Sequence, residues 1–225
     1  MRFQDAARDG RAVVYAGIQA DPLVRRVATL LSEATAAQRI LARAVMNGET
    51  TDPAGWIAMF PTLFGPDVPA GIDRVRSEAL LSASLAVADR GEQVRSQFRG
   101  AIVEELTAIL LARRVSGAAV RRERRILFDG VRAEIHPYDV TVERDGAAEA
   151  YDCKWGARGI NDDVLHQLDD ARAHAAQEDA TLRVALVVFD AERSCAVRLA
   201  RQYAPHDGTA IVPLESLDRL VAGTP

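Results

Sequence analysis

Residues 138–155 read Tyr-Asp-Val-Thr-Val-Glu-Arg-Asp-Gly-Ala-Ala-Glu-Ala-Tyr-Asp-Cys-Lys-Trp, and the rest of the predicted fold is built around them. Two runs of alternating polar and apolar residues flank the dipeptide Asp145-Gly146. Such a dipeptide is a strong signal for a two-residue turn, because both central residues of a type I′ turn need positive φ. The stretch therefore predicts a β-hairpin.

A two-residue loop also fixes which residues of the hairpin face each other. Counting outward gives these predicted pairs: Arg144 with Ala147, Val142 with Glu149, Val140 with Tyr151, and Asp139 with Asp152. Because side chains alternate along a strand, Asp139, Asp152 and Lys154 fall on one face. The other face is apolar and carries Val140, Val142, Tyr151, Cys153 and Trp155.

The predicted pairing of Asp139 with Asp152 points to a bound cation. Directly opposed residues have Cβ atoms about 5 Å apart, and two ionised carboxylates at that distance repel each other. A divalent metal relieves the repulsion. Oxygen ligands of this kind suit Mg²⁺ or Mn²⁺ better than zinc, which prefers His or Cys.

Lys154 gives a separate signal, because it is the only lysine among 28 Lys and Arg residues. This sequence uses arginine wherever a surface charge suffices. A single lysine two residues after an acid, on the face with the predicted metal, indicates a role for a compact ammonium group.

Asp139, followed by Asp152-x-Lys154 on the next strand, resembles the PD-(D/E)xK motif of the restriction endonuclease-like nuclease superfamily. The Tyr-Asp-Cys-Lys-Trp end is similar to the corresponding strand in restriction and Holliday-junction-resolving members. Two departures stand out. Tyr138 separates Pro137 from the first aspartate, and Asp152 stands where glutamate is commoner.

The resemblance implies roles for the residues of the motif. Asp139 and Asp152 would hold the metal together with the Cys153 backbone carbonyl. Lys154 would orient the attacking water and stabilise the charge of the transition state. The cofactor implied is Mg²⁺ or Mn²⁺.

In the superfamily the helix before the hairpin often supplies another acid. The segment Gly100-x-x-x-Glu104, followed by Leu110-Leu111, resembles that helix in Mrr-like and resolvase-like members, and this favours Glu104. Helical spacing leaves Glu105 as an alternative, because it lies closer to the apolar stripe of the helix.

Some members carry a functional glutamine on the helix after the motif. Gln167 is the candidate here, although the tyrosine often found four residues later is replaced by Ala171. An ordinary position on the helix surface is the alternative interpretation.

A basic cluster precedes the hairpin, with six arginines against one glutamate between residues 113 and 125. We interpret the arginines as a nucleic-acid-binding ridge, with a solvated helix end as the alternative. They are Arg113, Arg114, Arg121, Arg122, Arg124 and Arg125. The whole chain has a net charge of −4, which is unusual for a nucleic-acid binder that acts alone.

Composition predicts a soluble globular protein, with 48% hydrophobic and 27% charged residues over a length that allows one large core or two small domains. There is no membrane-spanning apolar run and no signal-peptide pattern, so we expect a cytoplasmic protein. Cys153 and Cys195 are expected to stay reduced.

Residues 1–90 are predicted to be all-α, as an oligomerisation or partner-binding region. Helices are expected at 21–46 and 72–88, and a third helix at about 92–114 opens the second domain, 91–225.

The rest of the second domain is predicted to contain strands and two helices. Strands are expected at 126–135, 182–189, 194–199 and 210–212, and helices at 162–178 and 215–222. The first of these strands contains Asp129-Gly130 as a possible tight turn. With the hairpin, this order predicts an α/β fold with a restriction endonuclease-like core, a mixed central sheet flanked by helices.

The sequence thus predicts a metal-dependent nuclease that hydrolyses phosphodiester bonds. The resemblance favours a DNA endonuclease over one acting on RNA. An antiviral defence effector that waits for a protein partner fits the acidic net charge. The alternative is a catalytically silent protein of this fold that serves as a nucleic-acid-binding or partner-binding scaffold.

Overall fold

The structure is a computed structural model that describes residues 1–6, 10–48, 50–129, 131–132, 136–144, 147–202 and 210–223. The chain divides into two compact units. One comprises Gly10–Leu106, and the other comprises Met1–Asp9 together with Thr107–Pro225. No helix in the described ranges is long and apolar enough to cross a membrane.

The unit Gly10–Leu106 is helical. Its helices are α1 Gly10–Gln19, α2 Pro22–Ser32, α3 Ala36–Asn47, α4 Pro53–Met59, α5 Pro61–Phe64, α6 Ile72–Ala88 and the first part of α7 Glu92–Ala112. The predicted helices at 72–88 and 92–114 are confirmed. Its core includes Leu41, Val45, Trp56, Phe64 and Leu81.

The prediction of a single helix at 21–46 is wrong, because the helix is interrupted between α2 and α3. A capping box starts α3: the Thr35 hydroxyl accepts a hydrogen bond from the Gln38 N–H at 3.3 Å, and the Gln38 side chain accepts one from the Thr35 N–H at 2.9 Å. Apolar residues recur at helical spacing on both sides of the break, so periodicity alone did not reveal it.

The start of the chain also departs from the prediction of an all-α region. Residues Arg2–Asp5 form strand β1, which pairs with the strand that contains Ile126 and Arg124. Phe3 faces Ile126 in this pairing and packs partly buried against the core of the second unit.

The second unit is built on a mixed sheet in the order β1-β2-β4-β5-β6-β7, with β3 paired to β2. Neighbours from β1 to β5 are antiparallel, and β5, β6 and β7 are parallel. The remaining strands are β2 Val120–Phe128, β3 Val131–Arg132, β4 Tyr138–Arg144, β5 Ala147–Lys154, β6 Thr181–Val188 and β7 Ala210–Pro213. The predicted α/β class is therefore confirmed, as a mixed sheet flanked by helices.

Strands β4 and β5 pair in the register that the sequence predicts. The observed pairs are Val140 with Tyr151, Thr141 with Ala150, Val142 with Glu149, Glu143 with Ala148, and Arg144 with Ala147. The Asp145-Gly146 turn itself lies outside the described residues.

Strand β2 begins at Val120, earlier than the predicted start at Ile126. Residues Arg121–Arg125 are all charged, so this part of the strand shows no alternation of polar and apolar residues. Its backbone nevertheless pairs with β1 on one side and with β4 on the other. The possible tight turn at Asp129-Gly130 agrees with the pairing of β3 back onto β2. Gly130 itself and residues 133–135 lie outside the described residues.

Two predictions near the C-terminus need correction. The segment 194–199, predicted as a strand, lies in helix α9 Glu192–Leu199, which buries Cys195 on one side. The helix predicted at 215–222 is a short 3₁₀ helix, Leu214–Ser216, followed by α10 Arg219–Ala222.

Helix α8 Asp162–Gln177 and strand β6 form the core of this unit as predicted. The Asn161 side chain caps α8 by accepting a hydrogen bond from the Val164 N–H at 3.0 Å. Buried residues of the helix and the sheet share one cluster, which includes Leu165, Leu168, Ala171, Ala150, Val184 and Leu186. This layer fixes one face of β5.

A charged network holds the far end of β5. The Arg114 guanidinium donates to both carboxylate oxygens of Glu149, at 2.9 and 2.6 Å, and to the Leu220 carbonyl at 3.0 Å. The Tyr151 hydroxyl donates to the same carboxylate. Burial works to raise the pKa of Glu149, but the hydrogen bonds from Arg114 and Tyr151 outweigh it and hold the pKa below its usual value.

We predict that Glu149→Gln lowers the free energy of unfolding at pH 7 by about 2 kcal/mol, between the values for exposed and buried ion pairs. Because the pKa of Glu149 is lower in the folded state, its stabilisation is present above about pH 4.3 and lost as the pH falls through the folded-state pKa. Urea unfolding between pH 7 and pH 3 should show a smaller acid loss in the variant. Glu192→Gln, at an exposed carboxylate, is the control and should follow the wild type; identical acid profiles for Glu149→Gln and wild type would contradict the assignment.

Candidate metal and catalytic site

Asp152 and Lys154 lie on the same face of β5, near its carboxyl end. The Lys154 ammonium donates to Asp152 Oδ1 at 2.7 Å. Asp152 is buried, whereas the Lys154 side chain keeps 29% of its surface exposed. The apolar partners predicted for the opposite face, Tyr151 and Cys153, are buried.

Asp139 joins this pair from the neighbouring strand. The regular pairing of β4 with β5 ends at Val140 and Tyr151, so Asp139 and Asp152 lie one residue beyond the last ladder pair. The Asp139 Oδ2 atom accepts a hydrogen bond from the Cys153 N–H at 2.6 Å. The Asp139 carboxylate thus accepts from an N–H that would otherwise donate to a backbone carbonyl of β4 in the next ladder bond.

The strand on the other side of β4 is also irregular at this point. Arg122 pairs with Val140 and Arg124 pairs with Tyr138, which places Glu123 opposite Asp139, but the ladder omits that pair. Glu123 has φ 52, a left-handed conformation that is unusual for a residue other than glycine. Asp139 therefore lies where β4 leaves regular pairing on both sides, and such distortions cluster at functional sites.

The three charges are coupled electrostatically. Burial works to lower the pKa of Lys154, but attraction to Asp152 and then to Asp139 outweighs burial and raises the pKa above its ordinary value. Lys154 is therefore held as an ammonium group.

The Cys153 side chain is buried, and its backbone faces Asp139. Its thiol lies 3.5 Å from the Thr107 hydroxyl, and it forms no disulfide. The Lys154 carbonyl accepts from the Phe189 N–H at 2.8 Å and so points toward β6. Because successive residues of a strand point their carbonyls to opposite sides, the Cys153 carbonyl points toward β4, the side of Asp139.

These oxygens fit a magnesium-type ion in number and chemistry. Magnesium is usually held by one or two carboxylates and keeps several waters, so Asp139, Asp152 and the Cys153 carbonyl would suffice. Within the described ranges, no group of three or more His, Cys, Asp and Glu side chains is arranged to hold a metal. A metal here would therefore depend on two carboxylates, a backbone oxygen and water.

The two glutamates of α7 lie in different surroundings. Glu104 is buried within the helical unit, where its carboxylate accepts from the Tyr15 hydroxyl at 2.5 Å and from the Gln19 amide at 2.7 Å. Glu105 is partly exposed. Helical spacing had placed Glu105 closer to the apolar stripe, so that part of the prediction is wrong. Gly100 leaves room for Tyr15, because a Cβ atom there would lie 3.0 Å from the Tyr15 hydroxyl.

Gln167 has a structural partner. Its side-chain oxygen accepts from the His136 N–H at 3.2 Å, and its amide donates to the His136 carbonyl at 3.1 Å. The Tyr138 hydroxyl donates to the Gln167 carbonyl at 3.4 Å. The buried glutamine therefore anchors the chain that leads into β4 at His136, three residues before Asp139.

The six arginines of the predicted ridge do not form one free cationic surface. Arg114 is held by Glu149, as described above, and Arg124 is held by Glu143, at 2.7 and 3.2 Å, and by Asp5. Arg113 and Arg121 are exposed, and Arg122 and Arg125 are partly exposed on β2.

Two residues near the site were not singled out in the sequence. Asp190 is buried just after β6, and its Oδ2 atom accepts from the Ala157 N–H at 2.9 Å. Its place at the carboxyl end of a parallel strand, beside the end of β5, could have indicated it. Gly159 lies against the Lys154 side chain, a long-range contact that no sequence pattern reveals.

Comparisons of the chain with protein-family models, curated proteins and solved structures gave no match. The fold and the site show an α/β protein with a mixed sheet that brings two aspartates and a lysine together where β4 begins and β5 ends.

We predict that Asp139→Ala is less stable than Asp139→Asn. Alanine leaves the Cys153 N–H without its acceptor, which typically costs about 1–3 kcal/mol, whereas asparagine keeps a side-chain oxygen in that place. Urea unfolding at pH 7 in EDTA measures the difference without any metal. Equal stability of the two variants would mean that this hydrogen bond does not hold the strand end.

Proposed function

We propose that the protein is a metal-dependent nuclease of the PD-(D/E)xK, restriction endonuclease-like type, acting most readily as a DNA endonuclease. The observation that carries the proposal is the meeting of Asp139, Asp152 and Lys154 where β4 begins and β5 ends. The mixed sheet and the helix before the hairpin are consistent with such a core.

In this proposal the residues divide the chemistry among them. Asp139, Asp152 and the Cys153 carbonyl would bind Mg²⁺ or Mn²⁺, which when bound supplies a Lewis acid and a more acidic water. Lys154 donates hydrogen bonds from its ammonium group to the attacking water and to a phosphate oxygen. Because its pKa is raised, it stays charged while negative charge develops on the phosphate.

The motif and the charge of the chain indicate which substrate we propose and how the activity would be regulated. DNA is favoured because the motif resembles restriction and junction-resolving nucleases. The net charge of −4 and the engagement of Arg114 and Arg124 with carboxylates favour an effector whose nucleic acid is delivered by a partner. Antiviral defence is one setting for such an effector, with the helical unit as its partner-binding or oligomerisation surface.

A second function, a catalytically silent scaffold, is favoured by one observation. Asp152 already has a cation at 2.7 Å in Lys154, and a partly exposed ion pair of this kind can persist without metal. The helical unit would then bind the partner.

The direct test is to incubate the purified protein with plasmid, linear duplex, single-stranded DNA and RNA in Mg²⁺, Mn²⁺ or EDTA. The nuclease predicts cleavage in either metal and none in EDTA, with DNA cut faster than RNA. Adding the products of neighbouring genes tests for an activator. Binding of nucleic acid without cleavage under every condition would support the scaffold.

We predict that Asp139→Asn and Asp152→Asn each abolish metal-dependent cleavage while both remain folded. Each variant removes a negative charge that the metal needs and keeps the shape of the side chain. The matched control is Asp163→Asn, an exposed aspartate in the first turn of α8, which should cleave like wild type. Unchanged activity in both Asn variants would refute the assignment.

The same assay decides between the two glutamates of α7. Glu104→Gln should weaken cleavage more than Glu105→Gln if Glu104 is the acid of this helix. The reverse order would assign that role to Glu105.

We predict that Lys154→Arg loses about 100-fold in cleavage rate, the usual cost of a misplaced transition-state donor. The guanidinium keeps the charge, but it is planar and wider than an ammonium group. Single-turnover kinetics with bound DNA measures the rate separately from affinity. Cleavage within about threefold of wild type, less than 1 kcal/mol, would show that the lysine is not needed as such.

A further inference from the structure

Gly159 lies directly against the stem of Lys154. A Cβ atom added to Gly159 would lie 2.8, 2.7 and 2.8 Å from the Cβ, Cγ and Cδ atoms of the lysine. Non-bonded carbons prefer separations of about 3.5–4.0 Å, so no side chain fits there while the lysine keeps its place. The absence of a side chain at Gly159 therefore makes the space in which the lysine lies.

The loop that carries Gly159 is fastened on several sides. The Gly159 N–H donates to the Gly156 carbonyl at 2.9 Å within a short 3₁₀ turn. The Ala157 N–H is held by Asp190, and the Ile160 carbonyl accepts from Arg198 Nε at 2.9 Å. The ends of β6 and α9 thus hold the loop in place, and a collision there would be relieved first by the lysine.

The position of the collision determines how the lysine would move. The three atoms in close contact are the first three carbons of the side chain, so a rotation near the ammonium end cannot separate them. A change of rotamer at χ1 would separate the Cγ and Cδ atoms from the added methyl group. The contact with the lysine Cβ, which χ1 does not move, would also need a small shift of the loop. The rotamer change swings the ammonium group away from Asp152 Oδ1, its partner at 2.7 Å.

We propose that Gly159 is a positioning residue, which fixes the Lys154 ammonium between Asp152 and the scissile phosphate. This inference rests on the proposed function for the role of the lysine in cleavage. The fixed geometry of the lysine is a separate statement and is tested separately.

The first experiment uses the single lysine as a spectroscopic probe. Protein labelled with ¹³C-lysine gives one lysine spin system, because Lys154 is the only lysine. The two ε-protons of a fixed side chain have different chemical shifts, and these shifts approach each other when the ammonium end leaves its fixed place and samples several rotamers. We expect well-separated ε-proton signals in the wild type and, in Gly159→Ala, shifted signals with a much smaller separation, measured in EDTA.

The matched control is Gly117→Ala. Gly117 also lies in a short 3₁₀ helix of the same unit, and an added Cβ would meet nothing within 4 Å. This variant should keep the wild-type splitting. Unchanged ε-proton signals in a folded Gly159→Ala would overturn the inference, whether or not the protein is a nuclease.

The second experiment measures cleavage in the same variants. Gly159→Ala should reduce kcat by about 100-fold, as loss of a positioned donor does, and leave KM within about twofold. Gly117→Ala should match the wild type in both. A mobile lysine with wild-type kcat would overturn the catalytic part of the inference. No cleavage by the wild type would instead count against the proposed function and leave the spectroscopic result to decide the geometry.

A stability cycle covers the case in which Gly159→Ala folds poorly. Lys154→Ala removes two of the three close contacts of the added Cβ. Gly159→Ala should therefore lower the thermal midpoint less in the Lys154→Ala background than in the wild-type background. Equal losses in the two backgrounds would show that the glycine and the lysine are not coupled.

Discussion

The antiparallel pairing of β4 with β5 is the constraint on which both the fold and the site depend. A slip of one residue would move Tyr151 and Cys153 to the opposite face and would exchange them with Asp152 and Lys154. The slip is costly, because it would bury both charges among apolar residues of the core. The apolar face of β5 therefore places the charged residues of the site.

The site that this register creates brings two carboxylates near one ammonium group. Asp139 accepts from a backbone N–H and Asp152 accepts from the Lys154 ammonium, and Asp152 is buried. Repulsion between two nearby carboxylates costs more under burial than on an open surface. A divalent cation would offset that repulsion, which is why the proposed function is metal-dependent.

Sequence patterns were informative where the contacts are local. The Asp-Gly dipeptide and the alternation on its two sides gave the register, and the continuous apolar run gave β6 as a central strand. They failed where distant residues decide. The early start of β2 depends on pairing with β1 and β4. The segment 194–199 was predicted as a strand and is helical, because a short apolar stretch does not distinguish a strand from a helix.

The same division holds for the site. The spacing of Asp152 and Lys154 places them on one face, and their ion pair follows from it. In contrast, the contact of Gly159 with the lysine and the bonds from Tyr15 and Gln19 to Glu104 join residues that no local pattern relates. Loops and buried polar contacts of this kind are set by the folded chain, so the sequence alone indicates the chemistry better than the residues that position it.

Calorimetric titration with Mn²⁺ tests the central claim most directly, because it needs neither the right nucleic acid nor an activating partner. The wild type should bind Mn²⁺ with a defined stoichiometry, and the double variant Asp139→Asn/Asp152→Asn should not bind it, while Asp163→Asn binds as the wild type does. Absence of binding by the wild type, or equal binding by the wild type and the double variant, would contradict a metal site formed by these two aspartates.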